Sequence, residues 1–177
     1  MKKVLVIGSG GSGKSTLSRT LGKALGLNVI HLDKFYWKAG WVEPPKDEWL
    51  EIVKDLIGRE SWIIDGNYSG TFAQRVAACD TIIFLDMSSL VCVWRIVKRR
   101  LLYRRRNRPD MAEGCHEQLN LEFLLWVVNY ARRSRPKVVK LIQENQASKQ
   151  IVWLKSRREV DLFLEKLITT AREQFNA

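Results

Sequence analysis

One short glycine-rich segment near the start of the chain constrains the fold more than any other feature. Its residues are Gly8-Ser9-Gly10-Gly11-Ser12-Gly13-Lys14-Ser15. The segment follows an apolar run at residues 4–7 and precedes a stretch in which leucines recur every four residues. A glycine-rich turn between a buried strand and the start of a helix is typical of α/β proteins with a parallel sheet.

Apolar runs rich in β-branched residues alternate with helical patterns along the rest of the chain. The runs predict five buried strands, at residues 4–7, 29–32, 62–64, 81–85 and 151–154. Between the runs, apolar residues recur three or four positions apart, which predicts helices. The last such pattern predicts a C-terminal helix packed on the sheet, through Val160, Phe163, Leu164, Leu167 and Ile168. A chain of 177 residues with this alternation is expected to form one α/β domain, spanning 1–177.

The glycine-rich segment also matches the pattern GxxxxGK[ST], the P-loop. In this motif backbone N–H groups surround phosphate oxygens, the lysine reaches the β- and γ-phosphates, and the hydroxyl residue binds Mg²⁺. A guanine-reading Asn/Thr-Lys-x-Asp motif is absent, so ATP with Mg²⁺ is favoured over GTP. Lys14 is expected to be catalytic. The predicted nucleotide-binding residues are Gly8, Ser9, Gly10, Gly11, Ser12, Gly13, Lys14, Ser15 and Thr16.

A second Mg²⁺ ligand, besides Ser15, is expected to be a carboxylate at the end of a strand. Two residues qualify, Asp65 after the third predicted strand and Asp86 after the fourth. Asp86 leads into Ser88 and a helical pattern, where capping of the helix start is the ordinary interpretation. Asp65 is therefore favoured, both as a catalytic residue and as a metal ligand acting partly through water.

Composition restricts the classes of partner. Thirty Lys and Arg residues against 19 Asp and Glu give a net charge of +11, which favours nucleotides, nucleic acid or acidic surfaces. The apolar run at the N-terminus is too short for a secretion signal, and no apolar run could cross a membrane. A cytoplasmic protein without a membrane partner is expected. Three widely spaced cysteines, one of them in Cys115-His116, predict reduced thiols and no zinc site.

Residues 95–108 form a basic segment in which apolar residues separate the charges. Arg95 and Arg99, four positions apart, share one helix face and can both point into a cleft. Arginines that close over a phosphoryl group stabilise its charge during transfer. For any single arginine, a solvated helix face is the alternative. The candidates for such a lid are Arg95, Arg99, Arg132, Arg133 and Arg135, of which Arg95, Arg99 and Arg133 are expected to be catalytic.

An aromatic cluster comes just after Asp33. Its rings can stack an acceptor or pack in the core, and both interpretations are open. Asp33 itself can orient an acceptor hydroxyl or take its proton, whereas a phosphate acceptor needs no base. A second apolar segment, at 126–130, is either core or a dimer surface, so a monomer and a homodimer are both compatible with the sequence. The aromatic residues of the first cluster are Phe35, Tyr36, Trp37 and Trp41.

Together these motifs resemble the adenylate-kinase-like family of small P-loop kinases, and most closely the bacterial DNA topology modulation proteins (FlaR-related). The resemblance implies a P-loop NTPase sheet in strand order 2-3-1-4-5 flanked by helices. It also implies an acceptor region after strand two and a helical, Arg-rich lid at roughly 95–135. Besides the P-loop, it is carried by His31-Leu32-Asp33, Ile64-Asp65-Gly66-Asn67-Tyr68, Arg95-Ile96-Val97-Lys98-Arg99-Arg100, Arg108-Pro109-Asp110-Met111, Gly114-Cys115 and Arg133-Ser134-Arg135-Pro136-Lys137.

Two departures from adenylate kinases concern the acceptor side. In those enzymes strand three continues as Asp-Gly-Phe-Pro-Arg, and the arginine clamps the acceptor phosphate, whereas this chain has Asn67-Tyr68-Ser69. The Thr-Gly-Asp-Met-Leu-Arg segment after strand two is also replaced, by residues 33–37. Arg75 or a lid arginine is available to replace the clamp.

The sequence thus predicts an ATP-dependent kinase acting on a small-molecule hydroxyl. One alternative is a nucleoside monophosphate kinase. The other is a DNA-binding protein regulated by ATP, with nucleic acid the less favoured partner.

Overall fold

The sheet that the sequence predicts is present, with all five strands parallel. In this computed structural model the described residues are 1–104, 108–115 and 120–175, with side chains to residue 170. The strand order is β2-β3-β1-β4-β5, and every neighbouring pair is parallel, which confirms the predicted topology. The strands are β1 (Lys3–Gly8), β2 (Val29–His31), β3 (Trp62–Asp65), β4 (Thr81–Leu85) and β5 (Gln150–Leu154).

Helices connect the strands and cover the sheet. Helix α1 begins at Lys14, within the P-loop motif, and packs against the C-terminal helix α8, while α5 packs on α6. None of the helices in the described ranges is long and apolar enough to span a membrane. The helices are α1 (Lys14–Leu25), α2 (Leu32–Tyr36), α3 (Lys46–Gly58), α4 (Phe72–Ala78), α5 (Ser89–Leu102), α6 (Leu121–Arg133), α7 (Arg135–Asn145) and α8 (Arg157–Phe175).

Apolar clusters lie on both faces of the sheet. In β1, Leu5 and Ile7 belong to a cluster that includes residues of α3, whereas Val4 and Val6 belong to one that includes residues of α1. All four side chains are fully buried. Because both faces are covered, the strands need apolar residues at every position, and they read in the sequence as continuous apolar runs.

The apolar segment at 126–130 divides between core and surface. Val127 and Tyr130 are buried, whereas Val128 is 52% exposed on the outer side of α6. Trp126 is 36% exposed. The core interpretation therefore holds for part of the segment, and the oligomeric state stays a prediction. Two members of the basic segment, Arg105 and Arg106, lie outside the described residues, as does His116.

The strand register determines where functional residues meet. Asp65 at the end of β3 lies beside His31 of β2 on one side and Val6 of β1 on the other. The P-loop leaves β1 just beyond Val6, and Asp33 follows β2 directly. The P-loop, Asp33 and Asp65 therefore meet at the carboxyl edge of the sheet, where open α/β folds bind their ligands.

Candidate active site

A cavity of 860 Å³ lies at this edge of the sheet. The P-loop and the first turn of α1 form one wall, through residues 10–11 and 13–16. Asp33 and Asp65 come from the strand ends, and Arg95 and Arg99 come from α5. The volume suits a nucleotide or another ligand of similar size. Most of the site residues predicted from the sequence therefore line one cavity.

The P-loop backbone fits closely against α5. Gly11 has a φ of 74°, and a Cβ at this position would lie 2.4 Å from the carbonyl oxygen of Cys92. Only glycine is accommodated here, and its lack of a side chain lets the loop backbone lie close to α5. Gly8, Ser9 and Ser12 lie behind the cavity wall and contribute backbone contacts rather than lining it.

Lys14 is folded back onto the loop that precedes it. Its Nζ donates hydrogen bonds to the carbonyl oxygens of Gly8 and Ser9, both at 2.9 Å. Burial lowers the pKa of Lys14, and the nearby charges of Asp65 and Asp33 oppose this shift. A glycine-rich cradle with an ammonium group at a helix N-terminus fits the phosphates of a nucleotide.

Asp65 is held by a histidine of the neighbouring strand. Its Oδ2 lies 2.7 Å from Nδ1 of His31, and both residues are buried. Asp65 lines the same cavity as Ser15 of the P-loop. A carboxylate and a hydroxyl beside bound phosphates form a ligand set that suits Mg²⁺, which also keeps waters in such sites. Within the described ranges, no group of three or more His, Cys, Asp or Glu residues is arranged to hold a metal ion.

Asp86, the other strand-end carboxylate, has a structural role. It accepts hydrogen bonds from the Arg135 guanidinium, the shortest two at 2.8 Å, and from the Trp153 indole at 3.0 Å. Helix α5 instead has Ser88 at its N-cap position, and no side chain caps it. The capping interpretation of Asp86 is therefore wrong, because its carboxylate is directed to α7 and β5.

The predicted lid arginines divide into two groups. Arg95 donates from Nη1 to the carbonyl oxygen of Ser12 at 2.9 Å, and the charge of Arg99 lowers the pKa of Lys14. Both line the cavity beside the P-loop. The structure does not bring Arg132, Arg133 or Arg135 there: the first two are exposed in the last turn of α6, and Arg135 binds Asp86.

Asp33 and two tryptophans line another part of the same cavity. Burial raises the pKa of Asp33, and a hydrogen bond from Tyr68 at 2.6 Å and the charge of Lys14 oppose this shift. Trp37 and Trp41 line the cavity, with ring centroids 5.3 Å apart. Of the other two aromatic residues, Tyr36 packs against the core and Phe35 is 40% exposed, and neither lines the cavity.

Arg75 cannot replace the arginine with which adenylate kinases clamp the acceptor phosphate, contrary to one expectation from the sequence. It is fully buried, and burial lowers its pKa to about 10. Its guanidinium donates to the carbonyl oxygens of Gly66 at 2.8 Å and Tyr68 at 2.6 Å, and to the Thr71 hydroxyl at 3.3 Å. Arg75 therefore holds the loop after β3 from behind and does not reach the cavity.

Asp110 also lines the cavity, although no sequence pattern predicted it as a site residue. Asp110 is paired with Arg108 and lies 3.6 Å from Arg19 of α1. Burial raises the pKa of Asp110, but the hydrogen bond and charge of Arg108 outweigh this and hold it at about 2. The only signal in the sequence was the Arg-Pro-Asp-Met segment of the family resemblance, which carried no assigned role.

Comparison with known sequences gives one distant relative. No family model matches the chain. The Bacillus subtilis (strain 168) protein named "Uncharacterized protein YqaC" is 27% identical over 133 residues, which are 73% of this chain and 72% of that protein. The narrower resemblance to the DNA topology modulation proteins therefore stays a prediction.

Solved structures match the chain over nearly its whole length. One is a "putative kinase" from Chloroflexus aurantiacus j-10-fl, with a TM-score of 0.54, 17% identity and 98% of each chain covered. Another is deoxyadenosine kinase from M. mycoides with bound dATP, with a TM-score of 0.51 and 16% identity over 98% of this chain and 99% of that chain. The chain therefore has the fold of P-loop kinases.

Proposed function

We propose that this chain is an ATP-dependent kinase that transfers the γ-phosphoryl group to a hydroxyl of a small molecule. One observation carries the proposal. A single cavity is lined by the P-loop with Lys14, by Arg95 and Arg99 of α5, and by the Asp33 carboxylate. Transfer to a hydroxyl needs positive charge around the moving phosphoryl group and a carboxylate near the attacking oxygen.

In the proposed reaction the acceptor oxygen forms a bond to the γ-phosphorus. The bond between that phosphorus and the β–γ bridging oxygen breaks, and ADP leaves. Asp33 takes the proton that the hydroxyl loses, while Lys14, Arg95 and Arg99 stabilise charge on the phosphoryl oxygens. Ser15 and Asp65 would hold Mg²⁺, which neutralises charge on the β- and γ-phosphates when bound.

Fewer observations support an acceptor that carries a phosphate group than an acceptor with a neutral hydroxyl. Ser69 stands where adenylate kinases have their clamp arginine, and Arg75 is bound to backbone carbonyls. A phosphate beside Asp33 would bring like charges together in a partly enclosed site, which is unfavourable. Deoxyadenosine kinase, which shares the fold, is named for a nucleoside. Nucleosides are therefore the first hydroxyl compounds to test.

The test is ADP formation from MgATP with purified protein and a panel of nucleosides, sugars, small alcohols and nucleoside monophosphates. A hydroxyl compound is expected to raise turnover above the rate with water, and mass spectrometry should identify the phosphoester. Rapid phosphorylation of AMP would reject the hydroxyl acceptor and support a monophosphate kinase. Failure of every compound to raise turnover would reject the transferase itself.

The same preparation tests the alternative of an ATP-regulated DNA-binding protein. The net charge of +11 is compatible with this alternative, because DNA is a polyanion. Binding to phosphate backbone weakens with salt, with a log–log slope of about 0.9 per phosphate neutralised. Duplex binding with such a slope, together with no acceptor-dependent turnover, would favour the DNA-binding alternative over the kinase.

A further inference from the structure

Tyr68 directly contacts the carboxylate that the proposed function assigns to the acceptor. Its hydroxyl donates to Oδ1 of Asp33 at 2.6 Å, and the Trp37 indole N–H donates to the Tyr68 oxygen. Burial raises the pKa of Tyr68, and the charge and hydrogen bond of Asp33 raise it further. Tyr68 therefore stays protonated at neutral pH and is always the donor in this pair. Oδ1 of Asp33 therefore accepts a hydrogen bond from Tyr68.

The Tyr68 ring has little freedom to move. Its centroid lies 4.3 Å from that of Tyr36 and 5.1 Å from that of Trp49, a buried residue of α3. The backbone carbonyl of Tyr68 accepts from Arg75 at 2.6 Å. A side chain packed on two rings and fixed at its backbone holds its hydroxyl in one place.

The two residues before Tyr68 connect it to the P-loop and to α2. Asn67 exchanges hydrogen bonds with the backbone of Gly8: its Nδ2 donates to the carbonyl oxygen at 2.6 Å, and its Oδ1 accepts from the N–H at 3.3 Å. Gly66 has a φ of 136°, and a Cβ there would lie 2.9 Å from Cβ of Leu32, the neighbour of Asp33. Residues 66–68 therefore contact Gly8, the first glycine of the P-loop, and also Leu32 and Asp33, the first two residues of α2.

We propose that Tyr68 is a positioning residue for phosphoryl transfer, which holds the Asp33 carboxylate at a fixed place relative to the P-loop. This inference rests on the proposed function. The acceptor hydroxyl gives its proton to Oδ2 of Asp33 as its oxygen bonds to the γ-phosphorus, and Tyr68 sets the direction in which Oδ2 points. A carboxylate misplaced by about 1 Å can cost about a hundredfold in rate, so this orientation matters for turnover.

The experiment compares Tyr68→Phe with Tyr36→Phe. Both variants remove one hydroxyl from the same aromatic cluster and keep the ring, but the Tyr36 hydroxyl is associated with Glu43 and not with Asp33. Loss of a hydrogen bond to a charged group should lower kcat about tenfold in Tyr68→Phe. Affinity for ATP should be unchanged, and Tyr36→Phe should match the parent protein.

The pH profile separates positioning from general damage. The groups whose charges act on Asp33 are Lys14 of α1, Asp65 of β3 and Arg108, and Tyr68→Phe leaves all three in place. Because the hydrogen bond lowers the pKa of Asp33, its loss should raise that pKa. A base must be ionised to act, so the acid limb of kcat should move to higher pH.

Two further measurements test separately the effect of Tyr68 on the pKa of Asp33 and its effect on kcat through Asp33. Titration of the Asp33 carboxyl by ¹³C NMR needs no acceptor, and an unchanged pKa in Tyr68→Phe would overturn the proposed contact. In an Asp33→Asn background, Tyr68→Phe should lower kcat no further, because both changes act through one group. A full additional loss there would overturn the positioning role. If the pKa shifts as expected but the parent protein phosphorylates no hydroxyl compound, the proposed function fails and the positioning role in transfer falls with it.

Discussion

Lys14, at the proposed donor end of the site, is held by carbonyl oxygens of its own loop, whereas Asp33, at the proposed acceptor end, is held by a side chain far away in the sequence. Lys14 bonds to carbonyls five and six residues away, but Asp33 meets Tyr68 across 35 residues. The position of Lys14 thus depends on the conformation of its loop, and the position of Asp33 depends on how α2 packs against the loop after β3. Variants at the two ends are therefore expected to fail in different ways.

The largest effect is expected for Lys14→Ala at the donor end. The variant loses a charge-assisted contact to the phosphates, which should weaken ATP binding and lower turnover by about 10²–10³-fold. The lost hydrogen bonds lie in a loop, so the fold should be retained. Calorimetric titration with ATP and a rate assay test this, with Lys23→Ala in the last turn of α1 as the control. Unchanged ATP affinity in the folded variant would contradict the P-loop assignment.

Asp33→Asn should affect the acceptor end alone. Loss of a general base lowers turnover by about 10²-fold or more. ATP affinity should stay within about twofold, because the side chain is assigned to the acceptor and not to the phosphates. Asp47→Asn, an exposed position in the first turn of α3, is the matched control. If ATP affinity falls as much as turnover does, the division between the two ends is wrong.

Asp65→Asn should increase the concentration of Mg²⁺ that turnover requires. Replacing one of the proposed ligands should raise the Mg²⁺ concentration for half-maximal turnover by about tenfold at fixed ATP. A milder rise is expected for His31→Gln, which removes the partner of Asp65 but leaves the carboxylate. The measurement is turnover against free Mg²⁺, and a chelator should abolish activity in the parent protein. An unchanged Mg²⁺ requirement in Asp65→Asn would exclude this carboxylate as a ligand.

Arg75→Leu should mainly reduce stability. It leaves the buried carbonyls of Gly66 and Tyr68 without their donor, which should lower the free energy of unfolding by about 2–3 kcal/mol. Turnover should fall as well, since the loop that carries Tyr68 loses its support, but ATP affinity should change less. Denaturant unfolding checks the first effect, with the exposed Arg59→Leu as the control. Equal stability of the two variants would show that Arg75 does not hold the loop.

Local patterns in the sequence were sufficient to predict the fold class and the place of the P-loop between β1 and α1. The strands read as apolar runs because both faces of the sheet are buried, and the P-loop is recognisable because eight consecutive residues determine its backbone. The strand order was implied by the family resemblance and is confirmed by the strand pairing. The motif alone predicted Lys14 and Ser15 as site residues, and both line the cavity.

Other site features depended on contacts that no local pattern encodes. Asp65 and Asp86 look alike in the sequence, yet one meets His31 and lines the cavity, while the other is bound to Arg135. The structure likewise brings Arg95 to the P-loop and leaves Arg133 exposed on α6. Their helices pack on each other at angles that the sequence pattern does not specify.

By itself, the sequence determined that this chain forms a parallel sheet with a glycine-rich P-loop after the first strand, because strand periodicity and glycine placement act over a few residues. Only the tertiary structure decided which carboxylate, which arginines and which aromatic hydroxyl share the cavity. A hydrogen bond such as that between Tyr68 and Asp33 depends on the packing of segments 35 residues apart. The position of such a side chain is the result of every contact that holds its helix or loop in place.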